Sequence, residues 1–276
     1  MAKFFGFVQF DFAGTLPLAD GRYLAGSAEQ GDETVIVLQR LGAPAAGERR
    51  RRRGRAVAAD PGPAPLALIR ATVVRAASPF ESPAEAARWL DEGCETEEAV
   101  EGLAAEAIAT LNRALHAQAV AAADPYGRQL APDQAERMLL GYGSGEEVAN
   151  SHFTDAREVD LTPRAASRRR QREEELRPQE RVAAILRGRE QLDACETLLL
   201  RARADLDAGR EREAALQLRI GVEALLAELD GAVDDRGHES DMATLHEWKA
   251  HPTSAPTEET LAICERVLRR RRVLRG

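Results

Sequence analysis

The chain has 276 residues, 44% of them apolar, only 4% aromatic, and a formal charge of -8. A chain of that length buries a real core and is expected to form one large or two modest domains, with two favoured; so few aromatics point to Leu, Ala and Val in packed helices and away from a large β-sandwich. No apolar run approaches the roughly 18–20 residues that cross a bilayer, which excludes a spanning segment.

Residues 4 to 12 place Phe4, Gly6, Val8, Phe10 and Phe12 on one face and Phe5, Phe7, Gln9 and Asp11 on the other, predicting an interior strand. The opening residues faintly imitate a secretion signal, but Gln9 and Asp11 interrupt the apolar stretch. Turn residues Ala19-Asp20-Gly21 precede a strand near 22–25, and Gly31-Asp32 precedes the β-branched run near 34–41, giving a meander. Alternation resumes near 66–75. Between these strands, residues 42 to 65 carry Arg49, Arg50, Arg51, Arg52, Arg53 and Arg55 ahead of Asp60-Pro61-Gly62-Pro63-Ala64-Pro65. Neighbouring like charges repel and prolines cannot donate to a ladder, so a flexible surface loop is expected there.

Ser82-Pro83-Ala84-Glu85 has the spacing of a capping box and predicts a helix near 83–92. Residues 81 to 107 are strongly acidic, with Glu81, Glu85, Asp91, Glu92, Glu95, Glu97, Glu98, Glu101 and Glu106 against Arg88 alone. The rest of the chain is roughly neutral, which argues against global steering toward nucleic acid. Helices are predicted near 96–122, with Val100, Leu103, Ile108, Leu111 and Leu115 on one stripe, and near 132–140. Residues 141 to 161 read as irregular with a short strand near Phe153, closing an α+β domain over 1–161; residues 162 to 178 form a charged connector.

Past Pro178 the period is helical. Val182, Ile185, Leu186, Leu192, Cys195, Leu199, Ala202 and Leu206 recur at three- and four-residue steps, and the pattern restarts after Gly209 as Ala215, Leu218, Val222, Leu225, Leu226 and Leu229. Gly209 suits the left-handed residue that lets a second helix fold back. Residues 179–276 are thus expected to form a helical hairpin with a final helix near 258–273. Residues 197 to 229 resemble one helix-turn-helix unit of the superhelical repeat type, without the recurrence that would make a solenoid. The fold class is α+β, with an antiparallel sheet and covering helices followed by an all-α module.

Three kinds of function fit the residues present. The first is protein interaction or scaffolding without catalysis, with Leu218, Val222, Leu225, Leu226 and Leu229 as the docking seam for a protein partner or a second copy of the chain. The alternative is non-specific nucleic-acid or anion binding by Arg49 to Arg53 and Arg55, because this cluster has no acidic partners and guanidinium groups contact phosphates. Arg168 to Arg170 with Arg172, and Arg269 to Arg272 with Arg275, have structural explanations, in helix-surface ion pairs and at a helix C-terminus. No aromatics interleave with any of them, which removes the stacking platform of single-strand binders. The third is a metal-dependent enzyme around His238, His246 and His251; yet the last two are five positions apart, so on a helix their rings diverge by about 140° and cannot share an ion, and the segment is expected to be a loop with its histidines in solvent. Gly141-Tyr142-Gly143-Ser144-Gly145 reads as a helix-terminating turn, since no Lys follows and Glu146-Glu147 would repel phosphate. Cys94, Cys195 and Cys264 are odd in number and widely spaced, which suits a reducing cytoplasm. No cofactor is expected, no membrane association, and no catalytic residue is named.

Overall fold

The computed structural model describes residues 3–26, 33–42, 67–160, 179, 181–229, 236–251 and 257–275. The protein is α+β, and it divides into two compact units, Met1–Pro163 and Arg164–Gly276.

The first unit is built on six strands, β1 Phe4–Ala13, β2 Gly21–Ala25, β3 Thr34–Leu41, β4 Leu68–Val74, β5 Ala135–Ser144 and β6 Asp155–Val159. They pair antiparallel throughout in the order β2-β3-β4-β1-β5-β6. β1 is central because it is the strand whose two faces are both apolar at their start. One face joins Val8, Phe10 and Phe12 to Ile36, Leu38, Ala71, Val73, Met138 and Leu140 under two helices, α1 Pro83–Gly93 and α2 Glu97–Ala121. Ala86 and Leu90 of α1 and Val100, Ala104, Ala107, Ile108, Leu111 and Leu115 of α2 recur at helical spacing and face that layer. Gly6 brings the Trp89 ring against β1: a Cβ there would sit 2.8 Å from the ring.

Both helix starts follow from their caps. Ser82 Oγ accepts the Glu85 N–H at 3.2 Å and Thr96 Oγ1 accepts the Ala99 N–H at 3.1 Å. The reciprocal half of the expected box is displaced, for the Glu85 carboxylate accepts from the Glu81 N–H, one residue before the cap.

The helix expected at 132–140 is a strand. A single 3-10 turn, Pro132–Gln134, supplies the helix-like start, and β5 then pairs with β1 along its length. Met138, Leu140 and Tyr142 face α1 and α2 while Leu139, Gly141 and Gly143 face the other way, a period of two inside a run too uniformly apolar to show it. The glycine run is therefore not a helix-terminating turn. A Cβ on Gly141 would lie 2.6 Å from both the Asp155 carbonyl oxygen and Phe7 Cζ, so glycine is what lets these strands close. A five-residue helix, α3 Gly145–Ala149, follows.

The chain then returns across the second face of the sheet. Val148 packs on Phe7 and Val74, and the Phe153 ring stacks on Phe7 with centroids 4.4 Å apart. Ser151 Oγ donates to Gln39 Oε1 at 2.9 Å, and Arg22 donates to Glu146 at 3.1 Å. Beyond that cover the face is polar but matched: Thr72 donates to Gln9 at 3.1 Å, and Arg70 grips Asp11 in a fork of 2.8 and 2.9 Å.

Among its described residues the second unit holds four long helices, α4 Ala194–Asp207, α5 Glu211–Leu229, α6 Arg236–Ala250 and α7 Thr257–Arg275. Gly209 adopts φ 70° between α4 and α5, the left-handed turn expected of it. The segment between the hairpin and the last helix, expected as a loop, contains α6. Its apolar residues are few, but His238, Met242, Leu245 and Trp248 recur at three- and four-residue steps and all four are buried. Cys195, Leu199 and Ala202 of α4, the inner side of α5, and Leu261, Cys264, Val267 and Leu268 of α7 complete one core with them.

Candidate functional site on the helical bundle

The seam expected to dock a partner is occupied within the chain. Leu218, Val222, Leu225 and Leu229 are fully buried and Leu226 nearly so, in one cluster with Met242, Leu245 and Trp248 of α6 and with α7. What the hairpin offers to solvent lies on its outer side. Leu200 of α4 is 66% exposed, and Leu216 and Ile220 of α5 are 57% and 54% exposed. With about 100° of rotation per residue, Leu216, Ile220 and Ala227 lie opposite the buried stripe of α5. Arg212, Arg219 and Glu223 flank this ridge along one edge, Glu213 along the other, and all are exposed. The ridge is hard to see in the sequence because Gln217, the inward-facing Leu218 and Arg219 stand between Leu216 and Ile220, and the inner stripe dominates the period.

Polar side chains hold the bundle's ends and flanks. Glu228, near the end of α5, accepts the backbone N–H groups of Ala194 at 3.1 Å and Cys195 at 3.0 Å. These are orphan donors of α4, whose own N-cap residue Asp193 makes no capping bond. Asp193 instead ion-pairs with Arg271 of α7. Burial raises the Glu228 pKa, but the Cys195 and Ala194 amides, the Cys195 thiol and the Arg271 charge outweigh it and hold the carboxyl below its ordinary value. Asp241 of α6 is balanced the same way: burial opposes ionisation, and Arg266 at 2.9 Å and Arg270 at 2.6 Å more than offset it. Arg203 joins α4 to Glu265 of α7 at 2.8 Å. Arg181 reaches Glu190 at 2.7 Å and Glu196 at 2.6 Å.

The other candidates separate in space or fall outside the described residues. Expected on a solvated loop, His238 sits instead in the first turn of α6, buried, with neither ring nitrogen hydrogen-bonded. His246 is exposed further along the same helix and His251 is exposed just beyond its end, so the three imidazoles do not converge. Among the described residues no group of three or more His, Cys, Asp or Glu is placed to hold a metal ion. Arg49 to Arg53 and Arg55, and Arg168 to Arg172, lie outside the described residues. In the third cluster, Arg270 and Arg271 are taken up by Asp241 and Asp193.

Neither thiol of the bundle is set up as a nucleophile. Burial and then the neighbouring Glu228 push the Cys195 thiol far up, and burial pushes Cys264 up to about 12, so both stay protonated at neutral pH. Cys94, at the end of α1, is also raised, by burial against the opposing pull of Arg157. Among the described residues no helix is long and apolar enough to cross a membrane. No protein-family model, no curated protein and no solved structure matches the chain.

Proposed function

We propose that the chain is a non-enzymatic protein-interaction or scaffolding protein that works through the outer surface of its C-terminal bundle. The observation that carries this reading is the placement of Leu200, Leu216 and Ile220, large apolar side chains more than half exposed on helices whose inner stripes are already filled. These side chains add nothing to the packed core of the bundle, and apolar groups gathered into a patch rimmed by charges mark docking surfaces. The protonated, buried thiols and the separated histidines favour binding over chemistry. Three free cysteines, two of them buried, fit a reducing cytoplasm as the working compartment.

Because Lys3 and Lys249 are the only lysines, amine-directed cross-linkers would be nearly blind to this surface. A photoreactive residue at Arg212 or Arg201 in the full chain, compared with the same label in an L200S/L216S/I220S background, tests the proposal in cells. The expected result is a reproducible adduct with a protein, either a partner or a second copy, that the serine background loses. Adducts that are absent, or that the serine background leaves unchanged, would overturn it.

A further inference from the structure

We propose that the outer face of α5 is a homotypic surface on which a second copy of this chain docks antiparallel through its own α5. This rests on the interaction reading above and names the partner. The outer face of α5 is self-complementary. In an antiparallel pair related by a two-fold axis across the helices, each edge of the contact ridge meets the same edge of the second copy, in reversed order. On the edge of α5 that carries Arg212, Arg219 and Glu223, all three side chains are exposed.

An axis placed beside Gly221 sets Arg219 across from Glu223 of the second copy, and Glu223 across from Arg219 of that copy, so both charges are matched twice by one operation. The same register lays the large Leu216 over the small Ala227 of the second copy and brings the two Ile220 side chains together near the axis. Large against small along the ridge, with opposite charges along its edge, is the arrangement that interdigitates without burying an unpaired ion. Leu216 and Ile220, at 57% and 54% exposed, supply the apolar centre. One helix pair buries less than the roughly 1,200–2,000 Å² of a stable interface, so the dimer is weak, forming at about 100 µM and dissociating by about 1 µM.

Sedimentation velocity of the full chain over that concentration range is the test, with circular dichroism to verify that each variant is folded. All substitutions are at exposed positions, so the fold is not at stake. Wild type is expected to dimerise with rising concentration. R219E or E223R alone sets like charges against each other twice and leaves a monomer, and L216E/I220E does the same. The double swap R219E/E223R restores opposite charges in both reciprocal pairs and therefore restores the dimer. That rescue is specific to self-association, since a foreign partner would still carry its original charges. A wild-type chain monomeric throughout, or single charge variants that dissociate the dimer without rescue by the double swap, overturns the proposal. If the chain stays monomeric while the cross-link in cells still depends on Leu200, Leu216 and Ile220, the homotypic surface falls and the interaction reading stands; loss of both results removes both.

Discussion

Replacing Glu228 tests whether the bundle depends on one carboxylate that caps a neighbouring helix. In Glu228→Ala the N–H groups of Ala194 and Cys195 lose their acceptor, and Cys195 is fully buried, so its amide cannot turn to water. An unsatisfied buried donor costs about 1–3 kcal/mol and loss of an N-cap about 0.5–2 kcal/mol. Glu228 is itself largely exposed, which screens its charge and puts the expected loss near 2 kcal/mol. Glu228→Gln keeps an acceptor and should lose roughly half as much. Trp89 and Trp248 report separately on the two units, so urea unfolding followed by fluorescence in a W89F background reads the bundle alone. The pH dependence follows from the sign of the shift. A carboxyl held below its ordinary value stabilises the fold above that value, and the contribution is lost as pH falls through the lowered one. Below roughly pH 4 the wild-type midpoint should therefore decline more steeply than that of Glu228→Gln. A Glu228→Ala midpoint within about 0.5 kcal/mol of wild type at pH 7 would refute the capping argument, because that is the size of a neutral surface change.

Three further outcomes are expected. Gly141→Ala should destabilise the sheet unit by roughly 1–3 kcal/mol, read by Trp89 fluorescence in a W248F background, because its Cβ would stand 2.6 Å from backbone and ring atoms that cannot both retreat. Ala123 follows α2 with φ 52°, a left-handed conformation that costs a side chain about 1–2 kcal/mol; Ala123→Gly should raise sheet-unit stability by about 1 kcal/mol in the same assay. His238→Leu should leave the bundle as stable as wild type or more so, by up to about 1 kcal/mol in W89F urea curves, since both ring nitrogens are buried without partners; a loss above about 1 kcal/mol would show that the imidazole makes a bond in solution.

The elements legible in the sequence were those in which one period stood alone. β1 announced itself by two apolar faces, α1 by Ser82 and Pro83, and the α4–α5 hairpin by two leucine stripes about Gly209. β5 was lost because Met138-Leu139-Leu140 is apolar on every phase, so helix and strand templates fit equally, and Pro132 tipped the reading toward a helix. Gly141 and Gly143 were the signal that could have corrected it, since glycine between bulky residues marks close approach of another backbone in a strand. α6 was lost for the opposite reason. Only Met242, Leu245 and Trp248 carry its stripe, with the fourth position filled by His238, which the reading treated as a polar loop residue. The inner residues of α5 were legible as a seam, but a stripe does not say which surface will cover it. The outer ridge became visible only once the inner one was seen to be filled.

The position of β1 fixes an order of events at the ribosome. This strand emerges before either of the two neighbours it pairs with, β4, at residues 68–74, and β5, at residues 135–144. Until β5 has been synthesised, a phenylalanine-rich ribbon must wait with one hydrogen-bonding edge open, and the loop closure that finally seats it is a long one. Newly made chains stalled before residue 144 should therefore be the aggregation-prone species and the natural clients of holding chaperones, whereas the bundle, built from helices that follow one another closely in sequence, can condense as soon as it clears the exit tunnel.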